Sequence, residues 1–331
     1  MQIRTLMMTA AVAVTASVAP PIAKAATELT LVYPFPDFLI YTKMCKELAA
    51  KINKAGAGAV KINVLPFNSI GMFKQPPAIK AGRVDIACTP AAFYARGLPE
   101  AEAVATSNSS PQEVRANGGL AMLDELHQKH ANMKYLGWTT SGARFRIYMK
   151  KAPKFTSGGL VDFSGVKLRD NPIYGAFFRA MKATTHSLPA TAVYGALEKG
   201  VVDAAAWATV GVQGLKWDKF LRHAVEPEFF QTDIGWIMNL DKWNSLDQQS
   251  KSVIQKAVIA QENVNRATLE GMASAERKKL MAEGMKFYGA PNPQAYFKLA
   301  VDSAYQRMTD RLKKTKRGTG VVSKLRATWQ R

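Results

Sequence analysis

The segment 162–169 reads DFSGVKLR, and it opens the part of the chain that decides the fold. The turn residues SG at 164–165 precede an alternation of apolar and basic residues that ends at Arg169, a pattern typical of a short strand. Ligands in open α/β sheets bind beyond the carboxyl ends of strands. Arg169 is therefore the candidate ligand anchor.

The following residues continue as a β-α-β unit. DNP at 170–172 ends the strand and begins a helix with one apolar face. A second strand is predicted at 184–188, a helix at 191–199 that Gly200 terminates, and a third strand at 201–207. This alternation predicts an α/β fold.

The N-terminus has the pattern of an export signal. Arg4 precedes an uncharged apolar run at 6–18, and the AKA sequence at 23–25 matches a signal-peptidase site. We predict cleavage after Ala25 and a periplasmic protein. The 331 residues are enough for two domains, and 47% hydrophobic with 21% charged residues is ordinary for a globular protein.

The chain is strongly basic, with a formal net charge of +20 that falls to +18 without residues 1–25. Residues 307–331 carry nine Lys or Arg and one acid, which predicts a basic terminal helix and tail. Two interpretations stay open for it: a solvated exterior, or a field that attracts anions. Cys45, on the apolar face of a helix, and Cys88, in a strand, form a disulfide or remain two buried thiols.

Candidate wall residues for a ligand site follow the ends of the first three strands, predicted at 27–34, 60–65 and 84–88. These candidates are Phe35, Asp37, Phe67, Asn68, Thr89 and Phe93, and further aromatic surface comes from Trp138, Tyr174 and Trp236.

A long helix is predicted at 247–283, followed by a last helix after residues 289–293. Its predicted apolar seam consists of Val253, Ala257, Ala260, Val264 and Ala267. The sequence lacks a GxSxG elbow, a phosphate-binding Gly-rich loop and a paired CxxC. His127 and His130 share a helix face, and we interpret them as surface histidines because no third metal ligand is near.

The chain resembles the periplasmic solute receptors of tripartite ATP-independent (TRAP) transporters. DFSGVKLR at 162–169 is similar to that family's D-L-x-G-x-K-x-R, and VYGALEKGVVD at 193–203 is similar to its V-Y-x-A-L-x-x-G-x-V-D. LPF at 65–67, the segment 79–86 and GAR at 142–144 add supporting matches.

The resemblance implies a two-lobed α/β binding protein of the type II-like class, with hinge strands and a long helix across the lobes. The first lobe is expected to comprise 26–140 with 235–276, and the second 141–234 with 277–331. It implies no catalysis, an organic acid as ligand, TRAP membrane permease subunits as partners, no nucleic acid and a monomeric state.

In the resembling family, the arginine at the position of Arg169 makes a two-pronged salt bridge to the ligand carboxylate, which a guanidinium can do and an ammonium cannot. Arg144 is the candidate second donor, and Trp207 is a candidate wall residue. Receptors for 2-oxo acids in that family have a metal-binding acid just before the tryptophan, where this chain has alanine in AAAW at 204–207. We therefore expect no metal or other cofactor, and a bulkier or aromatic monocarboxylate beside Trp207.

Two alternatives from other classes stay open. One is a periplasmic enzyme that acts on an organic acid, which product formation would reveal. The other is a polyanion-binding protein that uses the basic tail, whose retention on an anionic matrix would depend steeply on salt.

Overall fold

The computed structural model describes residues 26–330, so the predicted signal peptide and its cleavage site lie outside the described residues. The strands are β1 Thr27–Val32, β2 Val60–Val64, β3 Ile86–Pro90, β4 Met133–Trp138, β5 Phe145–Met149, β6 Lys154–Phe155, β7 Val161–Asp162, β8 Lys167–Asp170, β9 Thr184–Ser187, β10 Ala204–Ala208, β11 His223–Glu226, β12 Ile234–Asn239 and β13 Lys286–Gly289. The helices are α1 Ile40–Ala55, α2 Gln75–Lys80, α3 Glu102–Thr106, α4 Pro111–Ala116, α5 Gly119–Ala131, α6 Gly175–Ala180, α7 Ala190–Glu198, α8 Leu240–Ser245, α9 Gln248–Ala282, α10 Pro293–Lys314 and α11 Gly320–Trp329. None of these helices is long and apolar enough to cross a bilayer.

Two sheets form the centres of two lobes, which confirms the predicted fold class. The first has the order β2-β1-β3-β12-β4, with β12 antiparallel to both neighbours. The second has the order β13-β11-β5-β10-β8-β9. The predicted β-α-β unit is its β8-α6-β9-α7-β10 edge, and Gly200 ends α7 in the left-handed region with φ +67°.

The chain crosses between the sheets three times: at two neighbouring segments, 139–144 and 227–233, and again through α8 and α9, which lead from β12 of the first sheet to β13 of the second. The Thr139 N–H donates to the Ile234 carbonyl at 3.0 Å, and the Thr232 N–H donates to the Ala143 carbonyl at 2.9 Å. These paired segments are the candidate hinge.

Helix α9 contacts both lobes. It packs on α1 and β4 of the first, and its Glu276 carboxylate accepts from the Gly211 N–H of the second at 2.7 Å. The predicted seam is wrong, since Val264 is 51% exposed. The buried face lies one position further along the helix and consists of Ile254, Val258, Gln261, Glu262, Asn265 and Leu269. Three of these residues are polar, and an apolar pattern in the sequence cannot reveal them.

The basic tail is a solvated exterior only in part, because its four lysines are exposed whereas three of its arginines pair with buried acids. Arg307 pairs with the buried Glu102 at 2.9 Å, Arg311 pairs with the same carboxylate, and Arg317 pairs with Glu100. Helix α10 packs on α6 of the second lobe and on α3 of the first, whereas α11 packs on α3 and α5. The predicted division into lobes stays a prediction, and α11 contacts both the first lobe and α10.

Trp329, at the end of α11, is fully buried, with its ring 6.0 Å from that of Trp138. Its replacement by alanine is expected to lower the free energy of unfolding by about 3–5 kcal/mol, because a large core side chain leaves a cavity. Urea unfolding measures this change. Lys324→Ala, at an exposed position of the same helix, serves as the control and should change it by less than about 0.5 kcal/mol. Equal effects of the two substitutions would show that α11 is not part of the core.

Two predicted features near the core are resolved. Cys45 and Cys88 form a disulfide that joins α1 to β3, with their Cα atoms 6.1 Å apart. His127 is not a surface histidine, because it is fully buried against the Tyr94 hydroxyl at 2.9 Å. Burial lowers the pKa of His127 to about 4, so it is neutral at physiological pH.

Candidate ligand site between the lobes

A small enclosed cavity lies between the lobes beside the candidate hinge. Its volume is about 20 Å³, which is room for about one water molecule. The Phe35 and Trp207 rings meet edge to face across it at 6.1 Å, one from each lobe. The lining residues are Phe35, Tyr41, Pro90, Phe145, Asn171, Ile173, Trp207, Ala208, Thr232, Asp233 and Ile234. The wall is therefore largely apolar, with four aromatic rings and three polar side chains among its eleven residues.

Arg169 lies at the end of β8, as predicted, and is only 2% exposed. Its Nε and Nη2 atoms donate to the Leu188 carbonyl at 2.9 and 2.7 Å, and Nη1 donates to the Tyr174 hydroxyl. The Tyr174 hydroxyl in turn donates to the Ala206 carbonyl at 2.7 Å. All of these acceptors are neutral, and Arg169 has no ion-pair partner within residues 26–330.

The guanidinium of Arg169 lies one side-chain layer behind the cavity wall. It is stacked over the Trp217 ring at 5.8 Å, and Trp217 contacts Trp207 with ring centroids 5.1 Å apart. On the other side, Tyr174 packs against Phe145 at 5.4 Å. The side chains between the guanidinium and the cavity are therefore aromatic, and they must move for a ligand to reach Arg169.

Arg144, the candidate second donor, does not line this cavity. Its backbone precedes Phe145, which does, and successive side chains of a strand point to opposite faces. Its Nη1 atom reaches the Phe229 carbonyl at 3.5 Å. Burial lowers the pKa of Arg144, while the charges of Glu228 and Glu270 oppose this shift and that of Arg266 adds to it.

Three candidates from the turns of the first lobe lie away from the cavity. Asp37 is exposed and pairs with Lys46 at 2.8 Å, and this bond holds the pKa of Asp37 below its ordinary value. Phe67 stacks on Tyr33 at 6.4 Å, and Asn68 is exposed with φ +69°. None of these three side chains lines the cavity, which the strand pattern alone does not indicate.

The remaining candidates, Thr89, Trp236, Phe93 and Tyr174, do not line this cavity either. Thr89 and Trp236 lie within the first sheet and are fully buried, and they line neither this cavity nor the larger second one. Phe93 contacts Phe35 at 6.1 Å and lines a second, larger cavity. Tyr174 holds Arg169, as described above.

Asp233 is a lining residue that the sequence analysis missed. Its Oδ2 atom accepts from the Ala92 N–H at 2.7 Å, and its buried Oδ1 atom has no hydrogen-bond partner within residues 26–330. Burial, with a smaller contribution from the charge of Glu102, raises the pKa of Asp233 to about 7, although hydrogen bonds from backbone N–H groups oppose this shift. The sequence does contain a signal for Asp233, because an acid stands directly before the apolar run IGWIM at 234–238. This position could have identified it as a candidate site residue.

The three alanines of β10 do not create the space expected beside Trp207. Ala204, Ala205 and Ala206 are fully buried within the second sheet, and Ala205 lies opposite Tyr148 of β5. Trp217 packs against Trp207 instead. Among residues 26–330 no group of His, Cys, Asp and Glu has an arrangement that would hold a metal ion.

A two-lobed α/β protein with a closed site between its lobes and a buried arginine at a strand end is a solute-binding protein in architecture. The family described as "Bacterial extracellular solute-binding protein, family 7" matches residues 36–312, and the chain belongs to this family. The predicted resemblance is thereby confirmed.

Individual relatives agree with this assignment. A monocarboxylate 2-oxoacid-binding periplasmic protein of Nostoc is 23% identical over 239 residues, which cover 68% of this chain and 64% of that protein, less than two thirds of its length. A TRAP solute-binding protein of Bordetella bronchiseptica, solved with calcium and picolinate, has a TM-score of 0.77 at 19% identity over 92% of this chain and 94% of that chain. One from Desulfovibrio salexigens, solved with orotic acid, has a TM-score of 0.77 at 16% identity over 91% of this chain and 98% of that chain.

Proposed function

We propose that the protein is an extracytoplasmic receptor that captures an organic acid between its lobes and delivers it to a TRAP permease. We further propose that Arg169 is the anchor, in a two-pronged salt bridge to the ligand carboxylate. The observation that carries this proposal is a buried guanidinium held only by neutral acceptors.

The charge of Arg169 is the physical reason. Removing a cation from water costs several kcal/mol, and an anion with good hydrogen-bond geometry is the partner that offsets this cost. Arg146 provides the comparison within the same sheet, because it is equally buried at 2% but pairs with Glu226 and Glu228. Of these two buried arginines, Arg169 is the one with no carboxylate at ion-pair distance within residues 26–330, although the charge of the adjacent Asp170 acts on it.

The wall favours a ligand with an apolar body. Phe35, Tyr41, Phe145 and Trp207 can stack on a ring or cover an aliphatic chain. A volume of about 20 Å³ cannot hold such an acid, so the lobes or the aromatic layer must open to admit it. The aromatic side chains of the wall support a bulkier or aromatic monocarboxylate as the ligand. Orotic acid and picolinate, which are named with two related structures, are reasonable probes.

Asp233 is the second polar contact that we propose. Below pH 7 its neutral carboxyl can donate to a ligand oxygen, whereas its ionised form would repel a carboxylate. The site would then recognise the ligand at two points: Arg169 would bind its carboxylate, and Asp233 would bind a hydrogen-bonding substituent. We expect the receptor to act as a monomer and without catalysis.

A thermal-shift screen of the purified protein against mono-, di- and aromatic carboxylates tests the anchor. At 100 times its dissociation constant, a ligand should stabilise the folded protein by about 2.7 kcal/mol. Arg169→Lys should abolish this shift, because lysine cannot form the two parallel hydrogen bonds.

Arg146→Lys is the matched control and should keep the ligand-induced shift. An equal shift in Arg169→Lys would exclude Arg169 as the anchor. Recovery of the unaltered acid after incubation would support a receptor, and a new product would support the enzyme alternative.

A further inference from the structure

The second cavity between the lobes is large, and five of its 21 lining residues are Lys or Arg among largely apolar neighbours. Its volume is about 810 Å³, within the range of small-molecule sites. We name it the arginine cleft after five residues: Lys80 and Arg96 from the first lobe, Arg179 from the second, and Arg307 and Arg311 from α10. It shares Asn171 with the smaller cavity, but Arg169 lines neither.

The acids near the cleft do not balance these cations. Glu102 is buried beneath the wall and pairs with both Arg307 and Arg311. Asp170 lines the cleft and lies 3.9 Å from Arg179. Lys80 and Arg96 have no ion-pair partner within residues 26–330, so the five cations exceed the two acids by three charges.

The arginines are close enough to act on one another. Burial lowers the pKa of Arg311, Glu102 opposes this effect, and the charges of Arg307, Arg96 and Arg179 lower the pKa further. Such mutual repulsion in the protein alone is relieved when an anion binds between the guanidinium groups.

The cations also come from both lobes. Arg96 and Arg179 are exposed on opposite sides of the cleft. Arg307 already bridges the lobes, because it donates to Glu102 of the first and to the Pro172 and Ile173 carbonyls of the second at 3.0 and 3.1 Å. An anion between Arg96 and Arg179 would therefore favour the closed arrangement of the lobes.

We propose that the arginine cleft is a second anion-binding site, which holds a small anion with two or more negative charges between arginines of both lobes. Planar guanidinium groups suit phosphate and carboxylate groups equally, so both chemistries belong to this class. The site goes beyond the proposed function, and its failure would leave the Arg169 anchor untouched.

Isothermal titration of the purified protein with inorganic pyrophosphate, and in parallel with citrate, tests this site at constant ionic strength in chloride. We expect at least one probe to bind, and the probe that binds more tightly identifies phosphate or polycarboxylate chemistry. Arg96→Gln/Arg179→Gln should weaken this binding at least about tenfold, since two charge-assisted contacts are lost.

Two controls separate the site from a general field. Lys54→Gln/Lys278→Gln removes the same charge away from the cleft and should bind the probe like the wild type, as should Arg169→Lys. The proposal is overturned if neither probe binds, or if both double variants lose affinity equally.

Discussion

Removal of the Cys45–Cys88 disulfide is expected to lower the free energy of unfolding by about 4 kcal/mol. The bond closes a loop with a sequence separation of 43 between α1 and the central strand β3. Without it the unfolded chain regains the entropy of that loop, which is the source of this estimate. Urea unfolding of Cys45→Ala/Cys88→Ala beside the wild type measures the difference.

Reductant provides the internal control for this prediction. It should lower the unfolding midpoint of the wild type toward that of the double alanine variant and leave the variant unchanged. If the wild type and the variant unfold at the same urea concentration, the two cysteines are not bonded in the folded protein.

Asp233→Asn is expected to stabilise the protein by up to about 4 kcal/mol at pH 8 and by almost nothing at pH 4. The folded state keeps the Asp233 proton up to its pKa of about 7, whereas the unfolded chain releases it near 3.9. Stability is therefore lost as the pH rises from about 4 to 7, and asparagine removes this loss. Paired urea unfolding curves at the two pH values measure it.

The same titration should govern ligand affinity. The groups around Asp233 are Glu102, which adds negative charge, and the buried tyrosines Tyr94 and Tyr135, which are neutral. Ionisation of Asp233 above pH 7 should weaken carboxylate binding in the wild type, and Asp233→Asn should show a flatter pH profile. A profile that is identical in both proteins would show that Asp233 does not face the ligand.

Local patterns predicted the elements of the fold well. Three sequence patterns reflect interactions within a few residues: the alternation before Arg169, the apolar face of α6 and the glycine after α7. The order β8-α6-β9-α7-β10 could therefore be predicted from the sequence. Asp247 caps α9 by accepting from the Ser250 N–H at 2.7 Å, close to the predicted start of that helix.

Contacts between residues that are far apart in the chain could not be predicted from such local patterns. The buried face of α9 includes Glu262, which is satisfied by Arg115 at 2.8 Å and by the Trp138 N–H at 2.9 Å, and neither partner is near in sequence. The pairing of three arginines in the basic tail was missed because their acidic partners, Glu100 and Glu102, lie about 200 residues earlier.

In the candidate site, too, the features that depend on local sequence were predicted and those that depend on distant contacts were not. Strand ends predicted the position of Arg169 but not its enclosure by Tyr174 and the Leu188 carbonyl, which depends on how α6 and β9 pack. Arg144 was selected from the GAR match and Asp37 from its place after the first strand, whereas the directions of both side chains depend on strand register and loop geometry.

The central claim is that Arg169 holds the carboxylate of an organic acid between the lobes. Its most direct test is calorimetric titration with the most stabilising acid from the screen and with the primary amide of that acid. The account predicts that the acid binds the wild type, that the amide binds at least about tenfold more weakly, and that Arg169→Lys loses this discrimination. Equal affinity of the wild type for acid and amide would contradict the account.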